Sequence, residues 1–422
     1  MPNVIRDPLH GYIELDELAS AIIDTVEMQR LRRIRQLGFS YLVYPGANHT
    51  RFEHSLGTYH LMNVLLNRLE VAKEEEQELL VAALIHDVGH GPYSHVTEPL
   101  IKRLTGKGHE DLESVLFAPA GERKKDTETT APTVTEVVEE HHLDMRKILS
   151  YIKGEKNEGT RKRDLFRILN GEIDVDKMDY LVRDSYYTGV AYGVVDNIRL
   201  IQGLGFFNDE LVLTEKGILP AEYLLFSRFL MHPTVYNHHT GRIAQLMLLN
   251  ALDAFIESRS ESGAVSEPKA YAAALRSMDD SEINIALRNA GGYPNEMITR
   301  LNERRLFKRA VYTNVSELEG NVAEELRDAR RLQEVVDEIS TRAGVDKKYV
   351  LLDYQKPKGE ELEEGAAKVV IGNEFKSLRE VSSLVAMLSR EFERKYKIGV
   401  YTSEKYRTAV KKAAEEILLQ YK

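Results

Sequence analysis

Residues 86 to 90 read His-Asp-Val-Gly-His and follow directly on an apolar run, Leu79-Leu80-Val81-Ala82-Ala83-Leu84-Ile85. Two ionisable side chains at the end of such a run would cost several kcal/mol if buried without partners. A divalent metal removes that cost, because imidazole nitrogen and carboxylate oxygen are both good ligands for a first-row ion. Two further side chains of ligand type stand in comparable places. His54 follows Arg51-Phe52-Glu53, and Asp176 lies in Glu172-Ile173-Asp174-Val175-Asp176-Lys177. The set H…HD…D draws two ligands from one segment and one from each of two others, which points to a metal-dependent enzyme. A lone His-Asp pair would read as a hydrogen-bonded helix C-terminus. Gly89, which lets the backbone turn where ligands must converge, and the two distant partners outweigh that reading.

The elements that must carry these side chains read as helices. Apolar spacing over Leu18–Leu37 predicts a helix stopped by Gly38, and Thr50 or Ser55 is placed to cap another over about 55–69. Glu74–Asp87 reads as the next, with shorter ones near 110–117 and 144–152. Helices resume at 165–169, 175–185, 222–229 and 241–256. Tyr41–Tyr44 is β-like ahead of the Pro45-Gly46 turn signal, as are Leu211–Leu213, Tyr349–Leu352 and Lys368–Ile371. The chain closes as helix, strand, helix over 377–395, 398–401 and 406–421. Segments 118–135 and 153–162 are polar loops. The expectation is a mainly α protein, a helical catalytic core over 1–290 with a smaller α+β C-terminal appendage over 291–422.

Composition narrows the chemistry. Of 422 residues 43% are hydrophobic and 29% charged, ordinary values for a globular protein. The absence of Cys excludes disulfides, thiolate ligands and Cys nucleophiles, so a metal must be held by His and carboxylates. The N-terminus has no basic-then-apolar leader pattern, and no apolar run approaches the ~18 residues a membrane helix needs. The expectation is a cytoplasmic protein. A net charge of −10 argues against general nucleic-acid binding. A small polyanion remains a fitting substrate if Arg51, Lys177 and Arg228 gather at one site.

The blocks around the metal set resemble the HD-domain deoxynucleoside triphosphate triphosphohydrolases, in the branch of the mammalian SAM-and-HD-domain dNTPase. The resemblance runs from Val4 to about Val315. It includes Asp7-Pro8-Leu9-His10-Gly11, Gln36-Leu37-Gly38, Arg51-Phe52-Glu53-His54-Ser55, the run from His86 to His95, and Asp174 to Tyr180. Those blocks begin at Val4, so no sterile-alpha-motif module is expected ahead of them. The resemblance implies that His54, His86, Asp87 and Asp176 hold the metal. Their mixed imidazole and carboxylate chemistry suits Mn, Fe, Co, Ni or Zn, with Mg accompanying the nucleotide.

The implied reaction is attack of water on the α-phosphorus of a dNTP, releasing deoxynucleoside and inorganic triphosphate. His90, His95 and His109 match active-site histidines, with His95 the implied proton donor and Glu98 beside it where the mammalian branch has Asp. Arg51, Lys177, Arg228 and His232 match phosphate-contacting positions. Gln36, Tyr180 and Asp184 match the group that hydrogen-bonds the 3′-hydroxyl, Leu37 lines the same pocket, and Tyr236 matches the ring that rejects a 2′-hydroxyl. Asp24, Gln29 and Arg32 correspond to a site for an activating GTP or dGTP between subunits of a homo-oligomer, a dimer or tetramer. All three are expected on one helix, with Gln36 one turn beyond. Upstream, Asn3 and Arg6 replace family Lys and Asn. Asp196 and Arg199 resemble a second part of that site with a one-residue offset. Two other readings stay open: a phosphodiesterase or nucleotidase on the same scaffold, and a nucleotide-sensing protein.

Overall fold

A computed structural model describes residues 3–117, 131–155, 163–261, 268–318, 322–355, 363–392 and 396–419. The fold is mainly helical, with an α+β C-terminal part. It opens with a hairpin, β1 (Asn3–Asp7) and β2 (Gly11–Leu15), whose turn is closed by Asp7 Oδ1 accepting from the amides of Leu9 and His10 at 2.8 and 2.9 Å. Two short helices follow, α1 (Glu17–Ile23) and α2 (Val26–Leu31). The next pair, α3 (Arg51–Leu66) and α4 (Lys73–Ile85), packs together and supplies much of the main core. Leu79 through Ile85 are all buried, so the C-terminal half of α4 is apolar around its whole circumference rather than on one stripe.

Helix α5 (Glu98–Thr105) begins just after the His-Asp loop, and α6 (Val175–Thr188) lies across α3. Asp174 caps α6 by accepting from the Lys177 amide at 2.8 Å. Helix α7 (Ile218–Met231) runs into a single π turn at His232–Tyr236, and the long α8 (His239–Glu261) follows. A four-stranded sheet has the order β3 (Leu204–Phe207), β4 (Glu210–Thr214), β7 (Lys368–Ile371), β8 (Glu374–Ser377), with β4 and β7 parallel. An antiparallel sheet has the order β5 (Lys308–Asn314), β9 (Lys397–Thr402), β6 (Val350–Tyr354). No described helix is long and apolar enough to cross a membrane.

Four local expectations are corrected. The helix read over Leu18–Leu37 is two helices broken at Asp24-Thr25, because Thr25 turns its hydroxyl back to Ile22 O at 2.7 Å and starts α2 afresh, and α2 ends at Leu31, well short of Gly38. Tyr41–Tyr44 is not a strand. Ser40–Leu42 is a 3₁₀ turn, and the Tyr44 hydroxyl donates to Thr234 O at 2.6 Å. The third helix starts at Arg51, earlier than read, with Glu53 Oε2 accepting from the Thr50 amide at 2.6 Å and from its hydroxyl at 3.0 Å. The stretch 377–395 is split at Ser382 into helices 378–381 and 383–392. Most of both polar loops, residues 118–130 and 156–162, lies outside the described residues.

Candidate active site

The first turn of α3, the end of α4 and the first turn of α6 meet at one point. His54 Nε2 lies 2.9 Å from Asp176 Oδ1, 3.3 Å from His86 Nε2 and 3.7 Å from Asp87 Oδ2. His86 Nε2 is 3.5 Å from Asp87 Oδ1 and 3.8 Å from Asp176 Oδ1. Both imidazoles use Nδ1 elsewhere, His86 on Ala83 O at 2.9 Å and His54 on Asp179 Oδ2 at 2.8 Å. That fixes the tautomer in which each Nε2 faces the shared point, the arrangement a divalent ion requires. Burial opposes charge on His54, but hydrogen bonds to Asp176 and Asp179 and the charge of Asp87 prevail and push it up to about 10. A point whose own carboxylates hold a proton so firmly also favours a cation. These residues therefore fit a metal.

Behind this point lies a second, largely buried network that sequence reading did not single out as functional. Asp179 Oδ1 is 2.7 Å from His10 Nε2, and the carboxylate accepts from Arg183 Nε and Nη2 at 2.8 and 2.9 Å. Arg183 in turn reaches Asp7 Oδ2 at 2.8 Å. A Cβ on Gly57 of α3 would collide with Asp179 and Arg183, so only glycine lets α6 bring this pair so close. Burial works against the Asp179 charge, and Arg183, His10 and His54 outweigh it and hold the carboxyl well below its usual range. The available signal was the Asp7–His10 block together with an Asp three residues after Asp176.

A second cluster stands beside the first. His90 is buried, 3.3 Å from Asp87 Oδ1, and stacks on the His109 ring at 4.1 Å. Burial, Arg51 and His109 keep His90 neutral. Glu98 bridges the other two histidines: Oε2 lies 2.8 Å from His95 Nδ1, and Oε1 is hydrogen-bonded to His109 Nδ1. Thus the Glu found where the mammalian branch has Asp does reach His95. Burial disfavours charge on His109, but Glu98 reverses this and raises its pKa. The His95 side chain is 65% exposed. Its enclosed side, Arg51 and His109 lower its pKa against the pull of Glu98, and solvent screens part of that effect.

Both clusters face a cleft of about 550 Å³, within the range of small-ligand sites. Its lining includes the sequence-named Gln36, Leu37, Arg51, Lys177, Tyr180, Asp184, His232 and Tyr236. Arg51 donates to Asp87 Oδ2 at 2.7 Å and Ser94 Oγ at 2.9 Å. Tyr236 donates to Asp184 Oδ2 at 2.9 Å, and Asp184 Oδ1 is 2.8 Å from His49 Nε2. Gln36 Oε1 is buried and unpartnered among the described residues. Arg228 does not line the cleft, and its charge acts on Tyr236. Asn237, Arg242 and Gln245 line it and were not anticipated. Asp24, Gln29 and Arg32 lie outside it. They do not share one helix: Asp24 ends α1 and Arg32 ends α2, so Gln36 follows in a turn and not one helical turn further. Arg32 Nε donates to Gln29 Oε1 at 3.0 Å and its guanidinium lies 3.6 Å over the Phe52 ring. Asp196 caps helix 197–203 by accepting from the Arg199 amide.

A helical core that brings two histidines and two aspartates together beside a cleft is the kind of site a metal-assisted hydrolase needs. Family models agree: residues 51–184 match the HD domain and residues 195–420 match the HD associated region. The chain belongs to the HD-domain phosphohydrolases. It is 33% identical over 408 residues to an uncharacterized protein of Methanocaldococcus jannaschii, covering 94% of this chain and 79% of that one. It is 30% identical to the deoxynucleoside triphosphate triphosphohydrolase SAMHD1 homolog of Dictyostelium discoideum, covering 64% of this chain and 52% of the other. The chain thus spans about half the length of that relative. The crystal structure of a phosphohydrolase from Bacteroides thetaiotaomicron superposes with a TM-score of 0.73 at 26% identity, over 95% of this chain and 100% of that one.

Proposed function

We propose that this phosphohydrolase cleaves deoxynucleoside triphosphates at the α-phosphorus, giving deoxynucleoside and inorganic triphosphate. One observation carries the reading: a single cleft is lined by His86, Asp87 and Asp176 of the ligand point, by His90, His95 and His109, and by the polar side chains of Gln36, Tyr180, Asp184 and Tyr236. Among the last group the orphaned Gln36 Oε1 is an acceptor awaiting a hydroxyl, and Asp184 is held by Tyr236 and His49. The dNTPase relatives support the same substrate class.

When bound at the four-ligand point, a divalent ion (Mn, Fe, Co, Ni or Zn, with Mg on the nucleotide) supplies Lewis acidity and a water of lowered pKa. The chain does the rest. Arg51, oriented by Asp87 and Ser94, keeps the remainder of its fork for phosphate oxygens, and Lys177 and His232 add donors from the facing wall. His95, held at Nδ1 by Glu98, presents Nε2 as the proton donor for the leaving 5′-oxygen. His90, buried and held toward its neutral form, and His109, whose charged form Glu98 favours, line the path of the released triphosphate. Tyr180 and Asp184 take the 3′-hydroxyl, and the Tyr236 ring occupies the volume a 2′-hydroxyl would need. The Asp24, Gln29, Arg32 cluster is the proposed seat of a GTP or dGTP activator in a homo-oligomer.

The test is product analysis of the full chain with each dNTP and NTP under Mn or Fe with Mg, with and without GTP. Triphosphate and deoxynucleoside are the expected products, with NTPs poor substrates and the gap narrowed in Tyr236→Ala. Release of pyrophosphate or single phosphates overturns the reaction. Unchanged rates on a non-guanine dNTP when GTP is added overturn the activator site.

A further inference from the structure

Tyr93 and Ser94, neither of them glycine, both adopt left-handed backbone, with φ of +57° and +58°. Such conformations are strained for residues with a side chain and persist only where surrounding structure imposes them. His95 follows immediately, and Ser94 is the residue that orients Arg51 Nε. What imposes the turn is therefore also what sets the acid and the phosphate ligand.

One carboxylate makes the main restraint. Asp280 Oδ1 accepts from the Tyr93 amide at 2.6 Å, and its Oδ2 accepts from the Arg35 amide at 3.1 Å. The two loops it joins are those that carry Gln36 and His95. They touch again where the Ser94 hydroxyl donates to Arg35 O at 2.6 Å. The same loop adds the Asp280 amide on Arg33 O at 3.3 Å, and Arg30 bridges Met278 O at 3.1 Å and Val88 O at 2.6 Å. Asn284, one turn along, bonds the Tyr93 hydroxyl, while the Tyr93 ring stacks on Phe39 at 4.4 Å. Gly38, with φ +51°, makes room: a Cβ there would press on Tyr93 O at 3.2 Å.

Asp280 opens the helix over 280–289, yet that helix does not need its side chain. The cap is made by Asp279, which accepts from the Ser281 and Glu282 amides at 2.9 Å each, and by Glu282 Oε2 accepting from the Asp279 amide at 2.8 Å. Asp280 is 4% exposed, and burial pushes its carboxyl up to about 6 against the pull of the two amides. A buried carboxylate that its own helix does not use, spanning two active-site loops, is spending its hydrogen bonds on them.

We infer that Asp280, contributed by the HD associated region, is a positioning residue that locks the Arg35 and Tyr93 backbones together and so places His95 and Gln36 for the reaction. The inference rests on the hydrolase reading for its kinetic consequence, and on hydrogen exchange for its geometry. In the full-length, metal-loaded enzyme, Asp280→Ala is expected to lose exchange protection at the Arg35 and Tyr93 amides together. Its kcat on the preferred dNTP should fall by roughly 10- to 100-fold with a smaller change in KM, the scale of a misplaced catalytic group. Asp280→Asn keeps the volume but can accept only one of the two amides, and should lie between. Glu282→Ala removes the capping-box acceptor of the Asp279 amide and spares both loop contacts, as well as the Asp279–Arg33 ion pair. It should lower the Tm as the Asp280 variants do and leave kcat within about twofold of wild type, a window far narrower than misplacement produces. Retained protection at Arg35 and Tyr93 in Asp280→Ala overturns the clamp whatever the substrate proves to be. Lost protection with unchanged kcat overturns the positioning role. Lost protection in an enzyme that turns over no dNTP leaves the clamp standing and sinks the substrate reading alone.

Discussion

The two polar clusters of the cleft are built on opposite plans. Around His54 the backing is buried and layered: His54 leans on Asp179, and Asp179 on both His10 and Arg183. Around His95 one half-open carboxylate, Glu98, serves two histidines, and the His95 side chain is largely exposed. Rigid backing suits side chains that must hold fixed positions around an ion, since an outer-shell hydrogen bond sets both tautomer and ring orientation. Shared, solvent-accessible hydrogen bonding suits groups that must gain and lose protons near neutral pH. The same residue types serve two purposes because their second neighbours differ.

Asp176→Ala strikes the rigid cluster at the ion itself and should have the largest effect. Bound metal and activity should vanish together while circular dichroism stays helical; undiminished metal by elemental analysis would remove Asp176 from the ligand set. His95→Ala strikes the open cluster and should keep the metal while turnover falls by roughly 10²- to 10⁴-fold. Near-normal turnover there would transfer the proton to His109 or His90. Asp179→Asn tests the backing alone. Metal affinity should weaken by about 10- to 100-fold, as for other outer-shell partners. If titration calorimetry finds wild-type affinity, the contrast between the clusters is lost.

Glu98→Gln gives the smallest and most discriminating effect. Glu98 raises the pKa of His109, favouring its protonated form. Neutralising residue 98 removes that support, so His109 loses its proton at lower pH. On the proposed reading, in which the charged form serves the reaction, the alkaline limb of the kcat/KM profile should move toward acid while the metal content stays unchanged. A profile that stays put, or moves toward alkali, would deny Glu98 its tuning role.

Much of this was legible in the chain because it depends on local pattern. The apolar run before His86 can only be a buried helix, and an HD pair at its end needs a partner that hydrophobic neighbours do not supply. His54 and Asp176 were readable for the same reason, as ionisable residues opening helices that face the core. Where local signals misled, a backbone bond had taken over. Thr25 breaks the first helix by turning onto Ile22, and that break separates Asp24 from Gln29 and Arg32.

By itself the sequence determined the helical class, the candidate ligands and the histidines around them, since residue type and period are local properties. Only the tertiary structure decided what stands behind each of them. Asp179 and Arg183 are an ordinary helical pair until α6 meets Gly57 of α3, and only then does their charge orient His54. Asp280 is one more acid at a helix start until folding carries it 187 residues back to Tyr93. Hydrogen bonds between residues so far apart depend on angles and distances set by packing, and packing is a property of the whole core.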